Sequence, residues 1–423
     1  AIAGFYSFAL SQVTSEPELP VASTSVTITF NSAEESRLGY YTGELYAHTG
    51  VITEGNNDWQ HVIGNWGVNS EQPKLTHTGD GVYELEITPD INTFYAVEEG
   101  EKVIQLAFVF RSADATQQTN DLFVNVYKEG LVAEITEPDA KSILPLNEDI
   151  ALSARASVES TLKLYLDETL LEEKTGTTVS TNYTFTESGS YWLIAQAVTD
   201  EETATDSLRI FVRNDVVNQA KPTIYRNGIN YPDNTTAALV LWAPQKEFVF
   251  VIGDFNNWQP SNDYQMKKDG DFFWLEVNGL TSGEEYAFQY FIDGEIKIAD
   301  PYAEKILDPW NDQYIDSEVY PQLKTYPEGK TDGIVSVLQT GQDEYQWENT
   351  DFQVPEKEKM VIYELLIRDF TEEHTYKSVR EKLDYLEYLN VNVLELMPVN
   401  EFEGNSSWGY NSSFYFSLDI YYG

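Results

Sequence analysis

Short runs in which apolar and polar residues alternate occupy most of this chain, and they predict β-strands. In residues 25–30, Val26, Ile28 and Phe30 alternate with Ser and Thr, as in a strand with one buried face. Comparable runs, separated by Gly, Pro, Asn and Asp, recur as far as residue 323. The pattern predicts three antiparallel β-sandwich domains in succession.

The pattern changes towards the end of the sequence. Residues 361–367 form an apolar run flanked by charged residues, as in a buried parallel strand. In residues 376–389 the apolar side chains recur at helical spacing, and residues 391–397 are a second apolar run. Strand, helix and strand form the repeating unit of a (β/α)8 TIM barrel, although the unit suits any α/β fold.

Together these patterns predict a multi-domain chain, which is also expected from its 423 residues. Three β-sandwich domains (Ig-like or, as family resemblance implies, early-set) precede what family resemblance implies is the first βαβ portion of a truncated TIM barrel. The predicted segments are 1–20, a signal-peptide remnant and linker; 21–127, the first sandwich; 133–213, an Ig-like spacer; 219–323, an early-set sandwich; 324–358, a linker that wraps onto the barrel; and 359–423, the start of the barrel.

The first residues, AIAGFYSFALSQ, are a short apolar run followed by small and polar residues. This order is typical of the end of a secretory signal peptide, and the run is too short to span a bilayer. We therefore expect a secreted or cell-surface protein without a membrane span. The alternative interpretation is a buried N-terminal strand.

The charge of the chain excludes some classes of partner. Its 70 Asp and Glu residues outnumber 26 Lys and Arg residues, which gives a formal net charge of -44. Such a surface repels phosphate backbones and anionic lipid, so nucleic acids and membrane surfaces are poor partners. The acidic residues are spread along the chain, which favours a role in solubility.

Residues that commonly bind metals or form covalent bonds are scarce. The chain has no cysteine and only 4 histidines, which excludes disulfides, thiol catalysis and Cys-ligated zinc. No two histidines form an HExxH-like pair. We therefore predict no cofactor and no metal in this sequence.

Aromatic residues in the first predicted sandwich suggest a carbohydrate-binding surface. Tyr46 lies in a predicted strand, and Trp59 and Trp66 lie in a loop-like stretch rich in Asn, Gly and Asp. Aromatic rings can stack on sugar rings while amides and carboxylates bind the hydroxyl groups. In layout, this segment resembles the small starch-binding modules of secreted bacterial amylases. The alternative interpretation is that both Trp residues cap the sandwich core.

The third predicted sandwich carries a more specific resemblance. The motifs GDFNNW, DGDFFWLEV, GEEYAFQYFIDG and DPYA occur in that order, and the segment resembles carbohydrate-binding module family 48. The resemblance implies that Trp258 stands where glycogen-binding members hold the sugar. Gln289 and Ile296 stand where those members have Lys and a second Trp. With two of three determinants absent, we expect mainly a structural role for this domain.

The last segment strongly resembles glycoside hydrolase family 13, the α-amylase family. The resemblance rests on VIYELLIRDFT, KLDYLEYLNVNVLELMPVNEF and WGYN. It implies that Tyr410 stacks on the sugar at the cleavage subsite and that Trp408, Asn411 and Asn400 line the site. Asp369 is interpreted as structural.

The same resemblance implies retaining cleavage of α-1,4 bonds in starch or glycogen by two carboxyl groups. In this family the catalytic residues follow later barrel strands, so none is expected in this sequence, and the chain alone is expected to be inactive. A calcium site is expected only in the later part of such a barrel. Two alternatives stay open: a debranching (pullulanase-like or isoamylase-like) or branching enzyme, and a non-catalytic starch-binding protein at the cell surface. The predicted partner in each case is an α-glucan, such as starch, glycogen or maltooligosaccharides.

Overall fold

The structure is a computed structural model that describes residues 12–34, 37–38, 41–138 and 143–423. Most of the expected signal-peptide remnant lies outside the described residues. The chain divides into two compact units. Unit 1 comprises Ala1–Pro138, Ala151–Asn182 and Trp192–Leu208, and unit 2 comprises Asp139–Ile150, Tyr183–Tyr191 and Arg209–Gly423.

The N-terminal part of unit 1 is a sandwich of two four-stranded antiparallel sheets. One sheet has the order β1-β2-β6-β5 and the other β4-β3-β7-β8. The strands are β1 (Val13–Glu16), β2 (Val26–Asn31), β3 (Leu45–Thr53), β4 (Asn56–Gln60), β5 (Thr76–Gly79), β6 (Val82–Ile87), β7 (Val103–Ser112) and β8 (Leu122–Asn125), with a short helix α1 (Ile91–Phe94) after β6. The inward-facing residues of β2, β3, β6 and β7 share one hydrophobic core.

The alternation in the sequence predicts the faces of β2 correctly. Val26, Ile28 and Phe30 are all buried in the core between the two sheets. Trp59 differs from the expectation, because it lies on β4 and not in a loop.

The middle segment forms long strands, several of which have residues in both units. They are β9 (Ala133–Glu137), β10 (Ile143–Pro145), β11 (Asp149–Leu166), β12 (Thr169–Thr184), β13 (Gly189–Val198) and β14 (Thr203–Arg213). Within unit 1, β11 pairs antiparallel with β9 and with β13. In the sequence, Leu162, Leu164 and Leu166 alternate with other residues ahead of Asp167 and Glu168, which predicts a hairpin. The turn between β11 and β12 begins at Asp167, with φ 51°, and the three Leu side chains are buried on one face, as this pattern predicts. The Ig-like assignment stays a prediction.

Unit 2 contains a second pair of sheets around one core. The first sheet has the order β15-β16-β19-β18, and the second has β17-β20-β23-β22 with β21 paired to β20. The strands are β15 (Gly228–Asp233), β16 (Thr236–Trp242), β17 (Val249–Gly253), β18 (Lys267–Asp269), β19 (Phe272–Asn278), β20 (Glu285–Ile292), β21 (Ile296–Ile298), β22 (Lys305–Leu307) and β23 (Val335–Gln339). Apolar residues of both sheets form the core between them.

The C-terminal part of unit 2 begins with a parallel pair of strands. The elements are β24 (Ile362–Leu365), α2 (Ile367–Phe370), α3 (Tyr376–Arg380), α4 (Leu383–Tyr388), β25 (Val393–Leu396), β26 (Asn400–Phe402) and β27 (Ser412–Leu418). β24 and β25 are parallel, and β26 and β27 form an antiparallel hairpin. The expected strand–helix–strand order is present, but the single predicted helix is two short helices, α3 and α4, separated by Glu381 and Lys382.

Within the described ranges, no helix has both the length and the apolar character that a membrane span requires.

Candidate functional site

Four aromatic rings in unit 1 form what we call the aromatic surface: His48, Trp59, Trp66 and Phe123. The imidazole of His48 stacks on Trp59, with ring centres 5.7 Å apart and an angle of 22°. It meets Trp66 edge-on at 5.1 Å, and Trp59 contacts Phe123 edge-on at 6.3 Å. Trp66 and Phe123 are 46% and 44% exposed, so a ligand can reach their rings.

The alternation of β3 places the aromatic surface on the face of the sheet that points away from the core. Ala47 and Val51 belong to the core, so His48 and Gly50 between them face outwards. A Cβ atom at Gly50 would lie 2.8 Å from the carbonyl oxygen of Gln60. Glycine at this position therefore lets β4, which carries Trp59, approach β3 closely.

A buried polar cluster adjoins the aromatic surface. Arg111 is fully buried, and both its Nε, at 2.7 Å, and its Nη2, at 2.5 Å, donate to Oε1 of Gln72. The other end of the same amide lies 2.9 Å from Nδ1 of His48. The guanidinium is also 5.4 Å from the ring centre of Tyr46, within the range of a cation–π contact.

Tyr46 differs from the expectation of an exposed sugar-binding ring. It is 9% exposed, and its hydroxyl donates to Glu44 at 3.2 Å. Of the three residues predicted for this surface, Trp66 is exposed and Trp59 is half-buried. Sequence reasoning missed His48, Gln72, Arg111 and Phe123. The outward position of His48 on an alternating strand was the available signal.

The corresponding region of unit 2 around Trp258 is closed. Trp258 is 3% exposed and packs in a cluster with Ile252 and Leu307. Its Nε1 donates to Oδ1 of Asp254 at 3.1 Å. Its ring therefore supports the sandwich, and only a small part of it could contact a sugar.

Gln289 explains part of this closure. Its Nε2 donates to the carbonyl oxygens of Asp332 and Ile334, both at 2.8 Å, and its Oε1 accepts from the hydroxyl of Thr331 at 2.6 Å. The side chain is fully buried, so its amide has no donor left for a ligand. Ile296 is 40% exposed but provides no aromatic ring.

In unit 2, the loop that follows β26 carries the other predicted site residues. Trp408 and Tyr410 are 63% and 68% exposed, and Oδ1 of Asn411 accepts from the hydroxyl of Ser407. Asn400 donates to the carbonyl oxygen of Tyr415 at 2.7 Å, so its amide nitrogen already has a partner.

Arg368 attaches this loop to the end of β24. Its Nη1 donates to the carbonyl oxygen of Ser407 at 3.1 Å and to the hydroxyl of Ser406 at 3.3 Å. Asp369 accepts from Nε and Nη2 of the same guanidinium, and this hydrogen bonding lowers the pKa of Asp369. The geometry supports the interpretation of Asp369 as a structural residue.

Gly409 fits a position that no side chain could occupy. Its φ is 86°, and a Cβ atom would lie 2.3 Å from the carbonyl oxygen of Pro398. The backbone between Trp408 and Tyr410 is therefore pressed against the segment that follows β25, and the two aromatic side chains point outwards.

The β26–β27 hairpin packs against the neighbouring sandwich within unit 2. Phe416 stacks on Tyr302 with ring centres 5.2 Å apart, and the hydroxyl of Ser417 donates to the carbonyl oxygen of Ala303 at 2.7 Å. Such contacts are those expected of a sandwich that positions the segment beside it.

Four carboxyl groups of unit 2 have strongly raised pKa values. Burial is the largest cause for each, and it raises the pKa of Glu401 to about 9, of Asp419 to about 7, and of Asp300 and Asp312 to about 6. The negative charge of Asp419 raises the pKa of Glu401 further. Among the described residues, no group of three or more His, Asp or Glu side chains is arranged to hold a metal ion.

Comparison with known proteins finds one matching family and several enzymes that are similar to part of this chain. Residues 227–303 match the family described as Carbohydrate-binding module 48 (Isoamylase N-terminal domain). A malto-oligosyltrehalose trehalohydrolase from Saccharolobus solfataricus is 27% identical over 161 residues, which cover 38% of this chain and 24% of that protein. A 1,4-alpha-glucan branching enzyme from Fusobacterium nucleatum is 27% identical over 207 residues, which cover 46% of this chain and 30% of that enzyme.

The chain therefore spans less than a third of the length of these relatives. Among solved structures, a pullulanase from Anoxybacillus complexed with maltotetraose is 16% identical, with a TM-score of 0.36, and the match covers 66% of this chain and 42% of that one. That score is too low for comparing the overall arrangement of the two chains. The sequence matches confirm the resemblance that the motifs indicate: parts of the chain are similar to enzymes of glycoside hydrolase family 13 (the α-amylase family), and residues 227–303 match the carbohydrate-binding module 48 family.

Proposed function

We propose that this chain is the N-terminal part of a secreted α-amylase-type glycoside hydrolase that cleaves α-1,4-glucans by a retaining mechanism. The relatives are named for reactions on malto-oligosaccharides and α-glucans, which supports this substrate class. A debranching or branching enzyme is the alternative within the family, since one relative is a branching enzyme and another is an isoamylase.

The observation that carries the proposal is the exposed pair of Trp408 and Tyr410 on a firmly attached loop. The loop is fixed at Gly409 by its close approach to Pro398 and at Ser407 by the guanidinium of Arg368. Aromatic side chains held in this way can bind a sugar ring without a large loss of side-chain entropy on binding. In a TIM barrel such a loop belongs to the face that carries the active site.

The catalytic step needs two carboxyl groups about 5 Å apart in a retaining enzyme. In the α-amylase family these groups follow later barrel strands than β24 and β25. We therefore propose that this polypeptide alone binds α-glucan and does not hydrolyse it. The test is an assay of reducing ends after incubation of the purified chain with soluble starch and with pullulan. Release of reducing sugar from either polymer would contradict this assignment of roles.

The aromatic surface of unit 1 is the proposed α-glucan-binding surface of the first sandwich. Trp59→Ala combined with Trp66→Ala should abolish retention of the chain in a native gel that contains soluble starch. The matched control is Trp192→Ala, which removes an equally exposed Trp (48%) from outside this surface. If the double variant migrated as the wild type does in this gel, both Trp residues would serve in packing and not in glucan binding.

A non-catalytic starch-binding protein is the competing function, and the exposure of the aromatic surface suits it equally well. The coding sequence beyond Gly423 distinguishes the two functions. An open reading frame with further barrel strands supports the enzyme, and a stop or an unrelated domain supports the binding protein.

A further inference from the structure

His48 occupies the centre of the aromatic surface, between the rings of Trp59 and Trp66. Among the described residues, its hydrogen-bond partner is Gln72, at Nδ1. The two nitrogens of an imidazole point in nearly opposite directions. Since Nδ1 points to the buried Gln72, Nε2 points away from it. The neighbouring ring of Trp66 is 46% exposed, so a ligand can reach this part of the aromatic surface.

Arg111 determines which end of the Gln72 amide meets His48. A guanidinium has donors and no acceptor, and two of its nitrogens donate to one atom of the Gln72 side chain. That atom must be the oxygen. The atom that faces Nδ1 of His48 is therefore the amide nitrogen, which can only donate.

This series of hydrogen-bond donors determines which nitrogen of the imidazole carries the proton. Because Nδ1 accepts from Gln72, neutral His48 must carry its hydrogen on Nε2. A second proton on Nδ1 would remove the bond from Gln72. Burial and the positive charge of Arg111 also lower the pKa of His48, against the opposing charge of Asp121.

We propose that the Nε2–H of His48 is a pre-oriented hydrogen-bond donor to a hydroxyl group of an α-glucan chain lying on the aromatic surface. The inference rests on the proposed glucan binding by unit 1 and adds a specific polar contact to it. Gln72 and Arg111 are positioning residues, because they act through His48 and do not touch the ligand. A neutral donor between aromatic rings suits a neutral, hydroxyl-rich ligand, whose apolar ring faces contact Trp66 and Phe123.

The protonation state is measured first, on the wild-type chain. A long-range proton–nitrogen NMR spectrum of protein with labelled histidine shows 4 imidazoles, and the spectrum of His48→Phe identifies the signals of His48. We expect a protonated Nε2 and an unprotonated Nδ1 at pH 7, and a shift of the Nε2 signal on addition of maltoheptaose. A hydrogen on Nδ1, or an Nε2 signal that ligand leaves unmoved, would overturn the proposal.

Binding is measured next, by retention in starch-containing native gels. His48→Phe keeps a ring between the two Trp residues and removes the donor, so retention should weaken about threefold to tenfold. His48→Gln places an amide donor near the position of Nε2 and should recover part of the loss. Equal retention of wild type and His48→Phe would overturn the donor role while leaving glucan binding by the Trp residues intact.

Gln72→Glu gives a further readout that a merely structural role of His48 would not produce. A carboxylate still accepts from Arg111, but its second oxygen can only accept from Nδ1, so a proton should move onto that nitrogen and the pKa of His48 should rise. Retention of the wild type should be constant from pH 8 to below 6.5, whereas retention of Gln72→Glu should change across this range. If the wild type is not retained at all, glucan binding by unit 1 fails and the donor role fails with it, whichever nitrogen carries the hydrogen.

Discussion

Trp66 in unit 1 and Trp258 in unit 2 stand in similar sequences and in opposite environments. Both lie in stretches rich in Asn, Asp and Gly, and both are candidates for stacking on a sugar. Trp66 is 46% exposed and Trp258 is 3% exposed. The local sequence therefore marks an aromatic residue in a polar stretch, but it does not tell whether the ring is open to a ligand.

The difference comes from segments that are distant in sequence. Leu323 and Tyr326 pack against the hydrophobic cluster that contains Trp258, and Gln289 donates to the backbone carbonyl oxygens of Asp332 and Ile334. Trp66 instead contacts His48 edge-on, and His48 is hydrogen-bonded to the buried Gln72. A binding surface needs aromatic rings that are held in place and also open to solvent. The ring of Trp66 meets both requirements, whereas the ring of Trp258 is covered.

The largest expected effect is on the stability of unit 2. Trp258→Ala removes a large buried side chain and should destabilise this unit by about 3–5 kcal/mol. Trp66→Ala should change the stability of unit 1 by about 0.5 kcal/mol or less, because the ring is largely exposed. Hydrogen–deuterium exchange of peptides from each unit measures both. A small loss for Trp258→Ala would mean that its ring is not part of the core.

The second expected effect is that the stability of unit 2 depends on pH differently from the stability of unit 1. The pKa of Glu401 in unit 2 is raised to about 9 from an ordinary 4.5, so the folded state binds a proton that the unfolded state releases. The contribution of Glu401 to the stability of unit 2 is complete below pH 4.5 and is lost as the pH rises towards 9. Unit 2 should therefore be less stable at pH 8.5 than at pH 5, and Glu401→Gln, which cannot ionise, should reduce this dependence.

Unit 1 provides the internal control for that measurement. Its described carboxyl groups with shifted pKa values all have lowered values, and hydrogen bonds are the largest cause: Glu44, Glu54, Asp90, Glu101 and Asp114. Their contribution is present above the ordinary pKa and is lost as pH falls. Parallel loss of protection in both units at alkaline pH would contradict the role of Glu401.

The smallest expected effect concerns the closure of the Trp258 region. Gln289→Leu leaves the carbonyl oxygens of Asp332 and Ile334 without their donor and should cost about 1–3 kcal/mol. Gln339→Leu is the matched control, since the side-chain bond of Gln339 to Gly283 is exposed. Urea unfolding compares the two. If Gln289→Leu also increased retention on starch, the closed region would be a covered binding site.

The sequence predicts much of the local structure because alternation reports directly on which face of a strand is buried. Alternation places the strand β2 with its inward residues and the β11–β12 turn at Asp167. Apolar runs place the parallel strands β24 and β25, but the expected burial of β24 is wrong, because Ile362 and Tyr363 are 55% and 37% exposed. The sequence misplaces Trp59, because the Asn and Asp residues of β4 are typical of turns and the pairing of β4 with β3 overrides that preference. The division of the predicted helix into α3 and α4 has no signal in the apolar spacing.

The candidate site was harder to predict than the fold. Tyr46 and Trp66 are both aromatic, yet Tyr46 is buried, with contacts to Arg111 and Glu44 that the sequence does not show. The outward position of His48 on β3 can be inferred from the sequence, but its hydrogen bond with Gln72, which is 24 residues away, cannot. The role of Tyr410 stays a prediction from the motif, and the contacts of Arg368 and Gly409 show how the loop that carries it is held.

Arg111 has a consequence for how the protein responds to salt. Two ion pairs of unit 1, Lys74–Glu44 and Lys102–Glu54, have more than half of each side chain exposed, and dissolved ions screen such pairs. The guanidinium that orients Gln72 is fully buried, where mobile ions do not reach it. The surface it supports consists of uncharged rings and an uncharged donor. In a chain of net charge -44, this patch should keep the same affinity in fresh and in saline water.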